Sequence, residues 1–282
     1  MNVPYHSARL EGKIERSLYR AALPIVVRQR MRIARELPFD VFAYSGENML
    51  PEQVASIRSF LAYAGRPNQF VVASDGSYTS TSIELLEKID NCVRVQRTSP
   101  NLPPGLPAKV HSYLTSHFTG KQLALIMSLP AHGPALYTDS DVLFFPEAIR
   151  LADLARTKSV SAFYLADYQF SADERLIRDR AEKENPVNMG FLLLFQKLDW
   201  SLALERLQML NGTPNFFTTQ TVVHLCMHAN SAIALDQQKF VLQADDQFIY
   251  RDRHARKSIA MRHYVNPVRH KFWTALARCF PK

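Results

Sequence analysis

Apolar residues fall in short blocks along most of the chain. FDVFAYS (39–45), QFVVASD (69–75) and CVRVQR (92–97) each have the β-branched and aromatic content of a strand. Between the first two, PEQVASIRSFLAYAG sets Val54, Ile57 and Leu61 on one helical face, and Pro51 suits a first helical position. A helix through Ile83, Leu85 and Leu86 separates the second strand from the third. The proline-rich SPNLPPGLP (99–107) reads as a loop, and 108–129 as a helix. AHGPALYTDSDVLFF opens as a turn and becomes a strand from Ala135. PEAIRLADLA predicts a helix, and VSAFYLAD and VNMGFLLLF two strands, separated by a charged stretch at 171–185. DWSLALERLQML is helical by the spacing of Trp200, Leu204 and Leu207. A helix near 217–229, a strand near 231–236 and a basic C-terminal segment complete the chain. The first forty residues read as a helical arm, broken at Pro24 and stopped before Pro38.

Strands alternating with helices predict an α/β fold with a mostly parallel central sheet flanked by helices. Residues 1–38 form the basic arm and 39–282 a single domain. In such sheets ligands sit outside the carboxyl ends of the strands. That rule singles out Ser74-Asp75-Gly76-Ser77, Asp139-Ser140-Asp141 and the region around Asn188-Met189-Gly190.

The composition changes this picture little. With 47% hydrophobic and 21% charged residues among 282, the chain can bury a sizeable core and is not disordered. No apolar run approaches the roughly 20 residues of a membrane span. MNVPYHSARLEGKIER lacks the apolar centre of a secretory signal, so a cytoplasmic location is expected. Cys92, Cys226 and Cys279 are widely spaced and form no metal-knuckle pattern, which suits reduced thiols.

The charge adds more. A net +8 fits nucleic acid, an anionic membrane face or a phosphorylated substrate as partner, with nucleic acid the least favoured. Arg9, Lys13, Arg16, Arg20, Arg28, Arg30, Arg32 and Arg35 crowd the N-terminal region. A solvated helix face accounts for this run; so does peripheral docking on anionic lipid or on a phosphorylated acceptor. Residues 251–282 carry nine Lys and Arg against one acid, Asp252.

The strongest chemical signal is YTDSDVLFF (137–145). Its apolar frame sets two carboxylates against low dielectric, where unpaired charge is very costly. Cationic side chains or a metal must compensate. At a strand end the two acids can converge on one hard cation, and Mn²⁺ or Mg²⁺ suits carboxylate oxygens plus substrate phosphates.

This stretch resembles the Asp-x-Asp segment of GT-A-fold glycosyltransferases, closest to the form in family 8, the glycogenin and bacterial galactosyltransferase relatives. The resemblance implies a GT-A-like domain whose Asp139 and Asp141 hold Mn²⁺ on the diphosphate of a nucleotide-sugar, with Ser140 between them. NMGFLLLF (188–195) resembles the family's Asn-x-Gly segment, which implies Asn188 as a sugar or acceptor contact and Gly190 as a close backbone approach. MRHYVNPVRHKFW (261–273) resembles the His-aromatic-x-Gly-x-x-Lys-Pro-Trp pattern. His263 then becomes the third metal ligand, and Arg269 or Lys271 the diphosphate clamp. Asn266 replaces the family glycine, and His270-Lys271-Phe272 intervene before Trp273, so the choice of cation stays open. VVASDGSYTS (71–80) resembles a strand-end Asp-Gly-Ser whose Asp75 contacts the nucleoside. Lys121 sits where such enzymes carry a basic residue near the donor, and Gln220 resembles an acid-Gln helix cap in which Thr219 replaces the acid.

The resemblance implies transfer of a sugar from a UDP-sugar-like donor to a saccharide or other hydroxyl acceptor, with retention. Asp141, Asn188 and Arg269 would take the catalytic roles. An inverting reaction would need a carboxylate base, and Asp245, Asp246 and Glu184 are the candidates. A haloacid-dehalogenase-like phosphatase also carries Asp-x-Asp after a strand, but near its N-terminus and continued by small residues, whereas Val142 and Leu143 follow here. A non-catalytic nucleotide-sugar-binding protein is the other alternative. No Walker loop, strand-borne Gly-x-Gly-x-x-Gly, Gly-x-Ser-x-Gly or His-Glu-x-x-His is present.

Overall fold

The computed structural model describes residues 2–33, 35–97, 102–130, 133–157 and 159–279, with side chains through 277. Residues 99–101 of the expected loop, and Ala131 and His132 of the expected turn, lie outside this description, as does the side chain of Cys279.

The strands are β1 (Asp40–Ser45), β2 (Phe70–Ser74), β3 (Val93–Arg97), β4 (Ala135–Thr138), β5 (Val142–Phe144), β6 (Ala162–Ala166), β7 (Val187–Leu194), β8 (Ile233–Ala234), β9 (Phe240–Val241) and β10 (Met261–His263). The helices are α1 (Val3–Val26), α2 (Leu50–Tyr63), α3 (Ser80–Glu87), α4 (Ala108–Ser116), α5 (Phe118–Met127), α6 (Leu151–Leu154), α7 (Ser201–Met209), α8 (Thr218–Ala229) and α9 (Lys271–Cys279).

Seven strands form the main sheet in the order β3-β2-β1-β4-β7-β6-β8. β3, β2, β1 and β4 are parallel, β7 runs antiparallel to both β4 and β6, and β8 is parallel to β6. β6 therefore points the same way as β4. The carboxyl ends of β1, β2, β4 and β6 share one edge with the start of β7. The inner strands β2, β4 and β7 are buried on both faces, as in a mostly parallel sheet covered by helices. Successive side chains alternate between two cores. Leu136, Phe191 and Leu193 pack with α2 and α3, while Tyr137, Leu192 and Leu194 pack with α5 and α8.

Three expectations change. The apolar run from Ala135 is two strands: β4 stays in the main sheet, and β5 crosses into a second sheet of order β5-β10-β9. The turn between them carries the acidic pair. The helix expected over 108–129 is broken at His117, whose backbone is extended (φ −80°, ψ 138°). Pro24 does not break α1 but lies in its last turn, where little helix remains to lose a hydrogen bond.

The first helix is packed against the rest. Ala8, Leu23 and Val27 are buried, Tyr19 meets Trp273 at 5.1 Å between ring centroids, and Arg16 Nε reaches Glu52 Oε1 at 2.5 Å. Gly12 lets α1 lie directly on the backbone of His270, since a Cβ there would fall 2.2 Å from that carbonyl oxygen. Cys92 and Cys226 are free and buried. Among the described residues, no helix is long and apolar enough to cross a membrane.

Candidate active site

Hydrogen bonding of the Asp139 amide to the Gly190 carbonyl (2.9 Å) extends β4 by one residue before the chain turns. Asp139 keeps 23% of its side chain exposed, whereas Asp141 keeps 6%. The second sheet then brings the histidine in. β10 runs antiparallel to β5 with His263 opposite Val142, and the Tyr264 amide donates to the Asp141 carbonyl at 2.9 Å. Ligand atoms from Asp139, Asp141 and His263 all lie within 4.8 Å of one another. His263 Nε2 stands 3.1 Å from Asp141 Oδ1 and 3.7 Å from Asp139 Oδ2.

The imidazole is held from behind. Asn188 Oδ1 accepts from His263 Nδ1 (3.0 Å) and from the Gly190 amide (2.9 Å). Asn188 Nδ2 donates to Asp167 Oδ2 at 3.3 Å, and Gln220 Nε2 donates to the same oxygen at 3.2 Å. With Nδ1 fixed as a donor, Nε2 is the nitrogen left for a cation. A Cβ on Gly190 would fall 2.3 Å from His263 Cε1 and 2.9 Å from Asp139 Oδ2. The glycine thus makes the space in which carboxylate and imidazole meet.

Arg269 completes the group. Its Nη2 lies 2.5 Å and its Nε 3.1 Å from Asp141 Oδ2, and 40% of its side chain is exposed. Burial alone would push Asp141 up, but His263 and Arg269 outweigh it and hold that carboxyl well below the usual aspartate range. Burial raises Asp139, opposed by His263 and reinforced by the charge of Asp141. Burial also works against a charged His263, yet the carboxylates, Asp141 foremost, raise it above an ordinary histidine. Two carboxylates and an imidazole are a donor set that a hard divalent cation accepts. The open Asp139 side leaves room for oxygen ligands from a substrate.

The other residues singled out from the sequence separate clearly. Ser140 is buried in the turn between the two acids. Asp75 sits at the same sheet edge, two strands from Asp139, where Oδ1 accepts from the Ser77 amide (2.8 Å) and Ser77 Oγ (2.6 Å). Lys271 is 1% exposed, and its Nζ donates to the carbonyls of Ile249 (2.8 Å) and Arg251 (2.9 Å). Arg269, not Lys271, is the cation beside the acidic pair. Asp246 is fully buried against Arg262, and Asp245 is exposed beside His254, so neither acid faces His263. Glu184 is exposed.

Three residues of the site went unnoticed in the sequence. Gln122 Nε2 reaches Asp139 Oδ1 (3.1 Å) and the Tyr137 hydroxyl (2.6 Å), so the residue after Lys121 is the one that faces the acids. The Tyr137 hydroxyl donates to the same Asp139 oxygen at 2.8 Å. Asp167, one residue past β6, is 8% exposed, and burial raises its pKa above the usual range. Its signal was the acid that closes VSAFYLAD, to which the strand-end rule applies equally.

No protein-family profile matches the chain, and no curated protein matches it by sequence. Solved structures do match in fold. The galactosyltransferase LgtC, solved with donor and acceptor sugar analogs, superposes with a TM-score of 0.58 at 16% identity, over 86% of this chain and 97% of that one. The bifunctional glycosyltransferase WbbM gives 0.52 at 12% identity, over 89% of this chain and 51% of that one. Mouse xyloside xylosyltransferase 1 gives 0.50 at 12%, over 83% and 99%. The chain therefore has the GT-A fold: a mixed α/β domain with a mostly parallel seven-stranded sheet between helices.

Proposed function

We propose that this protein is a glycosyltransferase that moves a sugar from a nucleotide-diphosphate sugar, a UDP-sugar, to an acceptor hydroxyl with retention. The observation that carries this reading is the convergence of Asp139, Asp141 and His263 at the ligand edge of a GT-A sheet. Asp139, Asp141 and the Nε2 of His263 would hold a divalent cation, Mn²⁺ or Mg²⁺. A cation bound there supplies charge neutralisation to the diphosphate as it leaves.

Arg269 has a planar fork suited to phosphate oxygens and a half-exposed side chain able to turn from Asp141 toward them. Gly190 opens the approach, and Asn188, engaged by His263, the Gly190 amide and Asp167, orients the imidazole. Asp167 holds Asn188 and Gln220 in place. Asp75, at the far strand of the same edge, suits a ribose or base contact. In the reaction the acceptor oxygen bonds to the anomeric carbon, the bond from that carbon to the diphosphate oxygen breaks, and the acceptor proton leaves with the diphosphate.

A thermal-shift series of nucleoside diphosphates and nucleotide-sugars, with and without Mn²⁺, tests the reading. Stabilisation by UDP or a UDP-sugar only when Mn²⁺ is present supports it. Stabilisation without any transfer to sugar acceptors favours a binding protein, and phosphate release from simple esters favours a phosphatase.

A further inference from the structure

The first helix is amphipathic twice over. Its inner face packs through Ala8, Gly12, Leu23 and the following Val27. Its outer face should then be polar, and it is not. Val3, Leu10, Ile14, Leu18 and Ile25 are exposed, from 51% for Ile14 to 67% for Ile25. With Ala21 they fall within an arc of about 80° at 3.6 residues per turn. The stripe runs the whole length of the helix. Near its start the rings of Phe248 and Tyr250 are also exposed, Phe248 packing on Tyr5 of the inner face at 5.5 Å.

Cations border the stripe on one flank, where Arg20 also pairs with Glu47 (3.4 Å), and the half-buried Glu11 and Glu15 lie on the other. Arg9, Lys13 and Arg20 lie along one flank, and Arg28 and Arg30 follow the helix end, all exposed. Glu11 and Glu15, the acids of the helix, are both turned partly inward, so no acid is exposed over residues 2–30. Beside the stripe a cleft of about 410 Å³ opens between α1 and α9, with Leu18, Ala22, Val26, Trp273 and Leu276 in its walls.

We infer that the outer face of α1 docks on an anionic lipid bilayer, with Val3, Leu10, Ile14, Leu18 and Ile25 entering the interface and Arg9, Lys13 and Arg20 facing acidic headgroups. The chemistry matches an interfacial helix: one apolar stripe with a cationic border along it. Each cation near a negative surface adds attraction that salt weakens. A second copy of the chain fits less well. Packed antiparallel on the same stripe, it would set the cationic flanks against each other.

Co-sedimentation with vesicles tests this on the whole chain. Vesicles of phosphatidylcholine with phosphatidylglycerol should capture the protein, and vesicles of phosphatidylcholine alone should not. Capture should fall as salt is raised. Leu10→Glu with Ile14→Glu should lower partitioning by at least about tenfold, and Arg9→Glu with Lys13→Glu by about tenfold or more. All four side chains are exposed, so the melting temperature should hold in both variants. Equal capture by both vesicle types would overturn the inference. So would no capture with a concentration-dependent dimer that Leu10→Glu and Ile14→Glu dissolve, because the occupant would then be a second copy. Metal-dependent nucleotide binding is measured separately and stands or falls by itself.

Discussion

Arg262 and His263 are neighbours on β10, and each enters a different cluster of two aspartates. Arg262 is fully buried and pairs with Asp246 (2.8 Å) and with Asp252. Lys271 Nζ adds a second cation 3.7 Å from Asp246, and the Tyr264 hydroxyl donates to Asp252 at 2.9 Å. Two buried acids thus meet two buried cations. On the other side, Asp139 and Asp141 meet one imidazole and one half-exposed arginine. One of those two basic groups is a titratable imidazole, and the cluster is open to solvent on the Asp139 side. The residue types are nearly the same, yet the first arrangement can only hold the fold together. The second can exchange its partners for a ligand.

The largest effect should come from the closed cluster. Arg262→Met would leave Asp246 and Asp252 buried without their main partner, and breaking such a pair costs about 3–5 kcal/mol. Urea unfolding measures it, and a change below about 1 kcal/mol would remove the distinction between the clusters. Asp141→Asn belongs to the open cluster and should act on binding, lowering Mn²⁺-dependent UDP affinity by about 100-fold or more with the fold intact. Its loss should also show in acid. A carboxyl held below its unfolded value stabilises the fold above the ordinary aspartate pKa and loses that contribution as pH falls toward the depressed one. The wild type should therefore lose more stability than Asp141→Asn on going below about pH 4.

Arg269→Ala should weaken UDP by about 1.5–3 kcal/mol, the worth of a charged hydrogen bond, while Lys271→Met should cost stability and leave UDP affinity alone. Calorimetry on the two variants separates the cations. Metal binding should also follow pH. His263 must lose its proton to bind, and its pKa is raised, so Mn²⁺ affinity should climb by about tenfold per unit as pH rises above 6.5 toward that value. A flat profile would take His263 out of the ligand set. The smallest effect belongs to Asp245, whose exposed pair with His254 is 57% open on the acid's side. Asp245→Asn should change stability by less than about 1 kcal/mol and leave metal binding untouched.

Much of the frame was legible because periodicity reports burial. FDVFAYS and QFVVASD became β1 and β2 to within a residue, and apolar residues on both sides of Asp139 and Asp141 marked them as acids that need a partner. The second sheet was not legible. β5, β9 and β10 are two or three residues long, too short for any period to develop. Without them nothing in the sequence says that Arg262 and His263 face opposite ways. The density of cations near the C-terminus suggested a clamp, because counting charge does not reveal buried partners such as Asp246. Lys121 and Gln122 illustrate the same limit on a helix. Adjacent residues point about 100° apart, and only tertiary packing decides which one faces the acids.

Gly12 gives the first helix a mechanical hold on chemistry far away in the sequence. Its missing side chain lets α1 bear on the His270 carbonyl, one residue beyond Arg269. The helix acts as a splint against the segment that carries the arginine. A side chain added at position 12 would clash with that carbonyl, so α1 and the segment next to Arg269 would have to move apart. The chain thus ties its N-terminal helix to the segment that carries Arg269 at a residue that bears no functional group at all.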